Sequence, residues 1–277
     1  EDLIIDLTSQ GEKTISTLQG KDTFISIEGA IGGQGDDILI GTSGANTLVG
    51  EKGNDTIIGN GASSGTDYID GGENDLGVGD LVSFTYTNKN LKVDLSFNTG
   101  SNANVAQVSG DGNLIIKNIE DLLGGFGNDT LIGNDDKNTI SGGTGNDTLV
   151  GKGGNDYLEG GAGADTFKIT SINDGNDTID GDVSTASAND SEIDTVDYSG
   201  ITDNTYHLEV DLTSGKAYVK NNTTTPIEDT LRNIENITGT AGNDTFIGDS
   251  SDNVFDGKNG SDTISFEKVD SSVDVTI

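Results

Sequence analysis

Residues Gly142 to Lys168 read G-G-T-G-N-D-T-L-V, G-K-G-G-N-D-Y-L-E, G-G-A-G-A-D-T-F-K, one nine-residue sentence written three times in tandem. Glycine holds the first and fourth places, Asp the sixth, and a large apolar residue the eighth. Glycines at fixed places mark backbone that turns with positive φ. The apolar residue two after the Asp marks a very short strand. A strict nine-residue period then means turn, strand, turn, strand, so two sentences close one coil of 18 residues. Successive sentences turn on opposite sides, and residues 18 apart stack on the same side. Gly, Asn, Asp and β-branched residues dominate and are weak helix formers, so no helix is expected.

The sentences come in three clusters, Gly32 to Ile58, Gly124 to Lys168 and Gly239 to Ser265. The sixth place is Asp at Asp37, Asp55, Asp129, Asp147, Asp156, Asp165, Asp244 and Asp262. In the second sentence of each cluster it is Asn instead: Asn46, Asn138 and Asn253. The 18-residue spacing stacks Asp37 on Asp55, Asp129 on Asp147, Asp147 on Asp165 and Asp244 on Asp262, with Asn138 and Asp156 stacked on the other side. At the eighth place, Leu131, Leu149 and Phe167 are expected to stack on one inner face, and Ile140 with Leu158 on the other.

This pattern resembles the glycine-rich nonapeptide repeat of RTX proteins, a parallel β-roll that binds Ca²⁺ in its turns. The resemblance implies an all-β chain of Ca-binding parallel β-rolls in tandem, joined by short β-strand linker segments. It implies Ca²⁺ between stacked turns, on the carboxylates of Asp37, Asp55, Asp129, Asp147, Asp156, Asp165, Asp244 and Asp262. The turn carbonyls it implies are those of Gly33, Gly35, Gly53, Gly125, Gly127, Gly143, Gly145, Gly154, Gly161, Gly163, Gly242 and Gly260. The three Asn positions offer a neutral oxygen and lower the charge that drives affinity. Composition agrees. Against 48 acids stand 14 bases, a formal charge of −34. Like charges at that density push a compact state apart, and bound Ca²⁺ supplies the missing counter-charge. Disordered acidic tails carry charge in blocks, whereas here Asp recurs in register with Gly and an apolar residue.

A longer repeat lies over the short one. It begins Asp-x-apolar-x-aromatic, at Asp80-Leu-Val-Ser-Phe84, Asp194-Thr-Val-Asp-Tyr198 and Asp262-Thr-Ile-Ser-Phe266. Next comes apolar-Asp-apolar, at Val93-Asp94-Leu95, Val210-Asp211-Leu212 and Val273-Asp274-Val275. A variable polar loop follows, then Ile-Glu at Ile27-Glu28, Ile119-Glu120 and Ile234-Glu235, then the next glycine cluster. The alternation in Leu91 to Phe97 and Tyr206 to Leu212 reads as half-buried strands. The expected units are 1–78, a partial unit with the first roll; 79–193, with strands and the longest roll; 194–265, the third; and 266–277, the start of a further one. Ile4-Ile5-Asp6-Leu7-Thr8 matches Val273-Asp274-Val275-Thr276 in phase and the first residue is Glu1, so the chain reads as a piece of a longer tandem array.

No catalytic constellation stands out. The chain has no Cys, hence no disulfide framework and no thiol nucleophile. Its single histidine, His207, sits in a strand-like segment with no Ser, Cys or His motif beside it. Carboxylates are so numerous that counting alone leaves a glycosidase-type acid pair open, yet the repeat accounts for nearly every Asp. No G-x-x-x-x-G-K-[ST] phosphate loop is present. The bases are few and scattered, which argues against nucleic acid. No run of about 18 apolar residues reads as a membrane span. A Thr-row ice-binding face is broken at the seventh place by Ile38 and Tyr157. Two readings remain. One is a Ca²⁺-stiffened stretch of a large extracellular bacterial protein, an adhesin or surface-layer type, with self-association or cell-surface components as partners. The other is the repeat region of a secreted enzyme or toxin whose catalytic part lies elsewhere. The resemblance implies one-step (type I) export from a Gram-negative cell and folding in external Ca²⁺.

Overall fold

The computed structural model describes residues 2–8, 11–13, 22–59, 66–74, 79–97, 104–107, 113–182, 192–221 and 227–266. Among them regular structure is strand, most strands only three residues long, apart from one 3₁₀ turn, Leu95–Phe97. Within the arrays each strand pairs in parallel with the strand one coil away. In the middle array Thr130–Ile132, Thr148–Val150 and Thr166–Lys168 form one face, with Leu131 opposite Leu149 and Leu149 opposite Phe167. Thr139–Thr144 and Tyr157–Ala162 form the other, with Ile140 opposite Leu158. Those five side chains are fully enclosed, at 0 % exposure. A three-residue strand with period 2 sends only its central side chain inward. The core is therefore two rows of eighth-place residues, one from each sheet.

The segments that join the arrays are themselves coils of the roll. Leu81–Ser83 pairs with Thr56–Ile58 of the first array and with Asp121–Leu123, which opens the second. Thr195–Asp197 links Thr166–Lys168 to Asn236–Thr238 in the same manner. One sheet of 13 strands consequently contains strands from all three arrays.

At each joint one face continues while the other is replaced. At the first, Lys92–Asp94 starts a new face beside Thr130–Ile132. Asn104–Gln107 then runs antiparallel to Asn113–Lys117, which closes the old face beside Thr66–Glu73. At the second, His207–Asp211 starts a new face beside Thr245–Ile247. Lys216–Lys220 lies antiparallel between His207–Asp211 and Ile227–Arg232, and the latter returns to Thr178–Asp180. The strand expected over Leu91 to Phe97 stops early, because the Asp94 side chain takes the N–H of Ser96 (3.0 Å) and turns the chain. The polar loops Asn98 to Asp111 and Ala186 to Asp190 lie outside the described residues, apart from the strand Asn104–Gln107, as does the repeat phase at Val273-Asp274-Val275.

Candidate metal centres

The sixth-place carboxylates form ladders along the roll. The N–H of Asp129 donates to Oδ1 of Asp147 (2.7 Å), and the N–H of Asp147 to Oδ1 of Asp165 (2.6 Å). Asp37 bonds in the same way to Asp55 (2.8 Å), and Asp244 to Asp262 (2.9 Å). On the other side of the middle array Asn138 bonds to Asp156 (2.8 Å). A second ladder runs the opposite way at the fifth place. The N–H of Asn146 donates to Oδ1 of Asn128 (3.0 Å), and that of Ala164 to Oδ1 of Asn146 (3.2 Å). The recurrent Asn-Asp pair thus stitches each turn to the coil on either side.

The ladders continue through residues that the 18-residue spacing did not reach. Asp55 donates to Oδ1 of Asp80 (2.6 Å), Asn46 to Asp67 (2.7 Å), Asp156 to Asp177 (2.9 Å), Asp165 to Asp194 (2.7 Å) and Asp177 to Asp229 (2.9 Å). These partners are 25, 21, 21, 29 and 52 residues apart because extra residues lengthen the intervening turns or, between Asp177 and Asp229, because the chain makes an excursion through Thr195–Asp197, His207–Asp211 and Lys216–Lys220. The ladder then passes to Glu: Asp80 donates to Oε2 of Glu120 (3.0 Å) and Asp194 to Oε2 of Glu235 (2.9 Å). The local Asp-x-apolar signature marks Asp80, Asp177 and Asp194 in the sequence even where the spacing fails.

The turns are of two kinds. In open turns the second place has positive φ, as at Gly33, Gly143 and Gly161 and also at Glu51, Lys152 and Lys258. Fourth-place Gly35, Gly53, Gly145, Gly154, Gly163 and Gly260 share that conformation. The first-place glycines do not, which corrects the expectation for them. They are needed for space. A Cβ on Gly142 would lie 2.3 Å from Oδ2 of Asp147 and 2.5 Å from the carbonyl oxygen of Gly160. At Gly50 the corresponding distances are 2.0 Å to Asp55 Oδ2 and 2.4 Å to the Gly71 oxygen.

In closed turns the sixth-place side chain instead caps the second-place N–H. Asn46, Asn138 and Asn253 accept through Oδ1 from Thr42 (2.7 Å), Asn134 (2.8 Å) and Asp249 (3.1 Å). Their Nδ2 groups donate to the carbonyls of Glu28 (3.3 Å), Glu120 (2.7 Å) and Glu235 (3.2 Å). Asn therefore stands where both an acceptor and a donor are needed. Asp129 and Asp244 are also in closed turns, with Oδ2 accepting from Gly125 (3.0 Å) and Thr240 (2.7 Å). Gly125, Gly127 and Gly242, expected beside them, are not in the left-handed region. A Cβ on Gly257 would lie 2.3 Å from Oδ2 of Asp262, as at the open-turn residues, but Asp262 is exposed.

Seven buried carboxylates leave an oxygen without a donor, six of them in open turns; the seventh, Asp177, follows a turn whose Thr170 N–H is capped by Asp174 (2.8 Å). Oδ2 of Asp37, Asp55, Asp80, Asp147, Asp156, Asp165 and Asp177 is buried and accepts no hydrogen bond. Burial is the main reason their carboxyls are shifted up, to about 6 at Asp147, about 7 at Asp80 and Asp156, and about 8 at Asp165 and Asp177. The donated N–H offsets part of that shift, and neighbouring carboxylates add to it. An anionic oxygen facing a carbonyl oxygen at close range is tolerated only with a cation or a proton between them. A donor set of carboxylate and carbonyl oxygens, without imidazole or sulfur, suits a hard cation such as Ca²⁺. Among the described residues no three acidic, His or Cys side chains gather about one point, so most remaining ligands would be backbone carbonyls. At Asp229 the Tyr198 hydroxyl donates to Oδ2 (2.9 Å) and fills the same position with a protein group.

No curated protein matches the chain. The model of the RTX calcium-binding nonapeptide repeat matches four times, at residues 31–63, 118–149, 141–167 and 232–264. These segments contain all eight sixth-place Asp residues read from the period, and over them the chain carries the RTX calcium-binding nonapeptide repeat, whose ion is Ca²⁺.

Proposed function

We propose that the chain is a calcium-stiffened structural region of a large secreted or cell-surface bacterial protein, of adhesin or surface-layer type, exported unfolded by a type I route and folded by external Ca²⁺. The observation that carries this reading is continuity. Sheets and carboxylate ladders run through all three arrays, so Ca²⁺ in the turns would lock them into one body. In this reading the open-turn Asp carboxylates and their turn carbonyls hold the ions. The repeating units near 1–78, 79–193 and 194–265 are spacers, and their loops face surface components or other copies. The region itself has no catalytic role, since its buried carboxylates are committed to the ladders.

Small-angle scattering with and without Ca²⁺ tests this. A compact domain of this length would have a radius of gyration of roughly 19 Å. The calcium form should exceed that and stay rigid, and the chelated form should be larger and flexible. A calcium-loaded radius near the compact value would defeat the spacer reading and favour the repeat region of a secreted enzyme or toxin.

A further inference from the structure

One carboxylate outside the matched segments meets every condition of an open-turn Asp. Asp80 is fully enclosed (0 % exposed), and its Oδ2 accepts no hydrogen bond. Its Oδ1 accepts from Asp55, and its N–H donates to Oε2 of Glu120. A Cβ on Gly71 would lie 2.2 Å from Asp80 Oδ2 and 2.0 Å from the carbonyl oxygen of Asn118. In the arrays that carbonyl comes from the first-place Gly of the next coil. Here it comes from Asn118, whose φ of 49° opens a turn three residues shorter than the nonapeptide turn. In that short turn Glu120 takes the sixth place, and its longer side chain reaches back where an Asp would fall short.

We propose that Asp80 and the Asn118 carbonyl, with the Glu120 carboxylate beside them, hold a Ca²⁺ at the joint between the first and second arrays, a site that the nonapeptide motif does not contain. It rests on the reading that unpartnered open-turn oxygens take Ca²⁺. Asp80 and Asn118 stand on either side of the excursion through Lys92–Asp94 and Asn104–Gln107, so the ion closes that excursion and fixes one array to the next. The same construction recurs at the second joint. A Cβ on Gly181 would lie 2.3 Å from Asp194 Oδ2 and 2.1 Å from the Asn233 oxygen. Asn233 has φ of 50°, and Asp194 donates to Glu235. The competing account is a protonated Asp80 that donates to the Asn118 carbonyl. Asp80→Asn mimics that neutral group, so it separates the two.

The experiment is equilibrium dialysis of the full chain in millimolar Ca²⁺ at pH 7.5 with elemental analysis, for the parent, Asp80→Asn and Asp147→Asn. We expect Asp80→Asn to bind one Ca²⁺ fewer while keeping the β-sheet circular dichroism of the parent, and Asp147→Asn to lose at least one. An unchanged count in Asp80→Asn beside a loss in Asp147→Asn overturns the joint site and leaves the array reading standing. An unchanged count in both overturns the reading beneath it. Should Asp80→Asn fail to fold, anomalous diffraction from calcium-grown crystals of the parent decides: a peak beside Asp80 Oδ2 supports the site, and its absence there removes it.

Discussion

The two ends of one coil in the middle array differ by a single atom type and behave as opposites. At one end Asn138 accepts from Asn134 and donates to the Glu120 carbonyl, so the turn is complete within the protein. At the other end Asp147 bonds through Oδ1 to the coil before it and buries Oδ2 against the Gly160 carbonyl with no donor at all. The fold thus contains turns that need nothing and turns that need a positive charge. In the second and third arrays the closed turns come first, at Asp129 and Asn138 and at Asp244 and Asn253, whereas in the first the closed turn of Asn46 lies between the open turns of Asp37 and Asp55.

The largest expected effect tests that contrast as a whole. Without metal, the upward-shifted carboxyls make the folded state bind more protons than the unfolded chain. Their stabilising contribution is complete below about pH 4, where free Asp titrates, and is lost as pH rises through about 6 to about 8. In chelator the chain should be compact near pH 4 and expanded at pH 8. Ca²⁺ at pH 8 should restore the β-sheet spectrum. Circular dichroism across that pH range, with and without Ca²⁺, checks both halves. Equal spectra at pH 8 in chelator and in millimolar Ca²⁺ would break the distinction between the two kinds of turn.

Much of this was legible in the sequence, and what was missed has a common cause. The nine-residue period gave the coil, the inward row of Leu131, Leu149 and Phe167, and the doubtful status of the three Asn positions. It failed where the chain inserts or deletes residues between coils. Asp67, Asp80, Asp177, Asp194 and Asp229 keep their places in the ladders at spacings of 21 to 52 residues. Parallel pairing fixes the strand register and not the length of the turn before it. Ile-Glu was visible as a recurring pair, but its role was not, because a Glu in place of Asp makes sense only once the shortened turn is seen. The sequence also could not separate Asp129 from Asp147. Both follow the same motif, and the backbone of the second and fourth places tells them apart: ordinary at Gly125 and Gly127, left-handed at Gly143 and Gly145.

Single substitutions sharpen the contrast within one coil. Leu149 is fully buried and common to both readings of the turns, so Leu149→Ala should cost about 2–5 kcal/mol at any Ca²⁺ concentration that keeps the protein folded. Asp147→Ala should cost an amount that grows with free Ca²⁺, about 2.7 kcal/mol when Ca²⁺ is a hundredfold above the dissociation constant of the lost site. Asn138→Ala strands the Asn134 N–H and the Glu120 carbonyl, at a cost of about 1–3 kcal/mol that does not change with Ca²⁺. Chemical denaturation at two Ca²⁺ concentrations checks all three. A calcium-dependent loss in Asn138→Ala, or a calcium-independent one in Asp147→Ala, would erase the difference between the two ends of the coil.

The smallest effect concerns the backbone alone. Glu51 sits at the second place of an open turn with φ of 83°, and its side chain is exposed. A residue with a Cβ in left-handed backbone costs roughly 1–2 kcal/mol relative to one without. Glycine returns about 0.5–1 kcal/mol of that through the greater freedom of the unfolded chain. Glu51→Gly should therefore stabilise the calcium form by up to about 1 kcal/mol, read as a small rise in melting temperature. Glu51→Gln removes the same charge from the acidic surface and keeps the Cβ, so it isolates the electrostatic part of the gain. Thr42, the second-place residue of the neighbouring closed turn, is not left-handed and donates its N–H to Asn46. Thr42→Gly should lower stability instead. Opposite signs at positions 51 and 42 would show that the kind of turn is written in the second-place backbone. Equal signs would mean that the sixth-place side chain alone decides it.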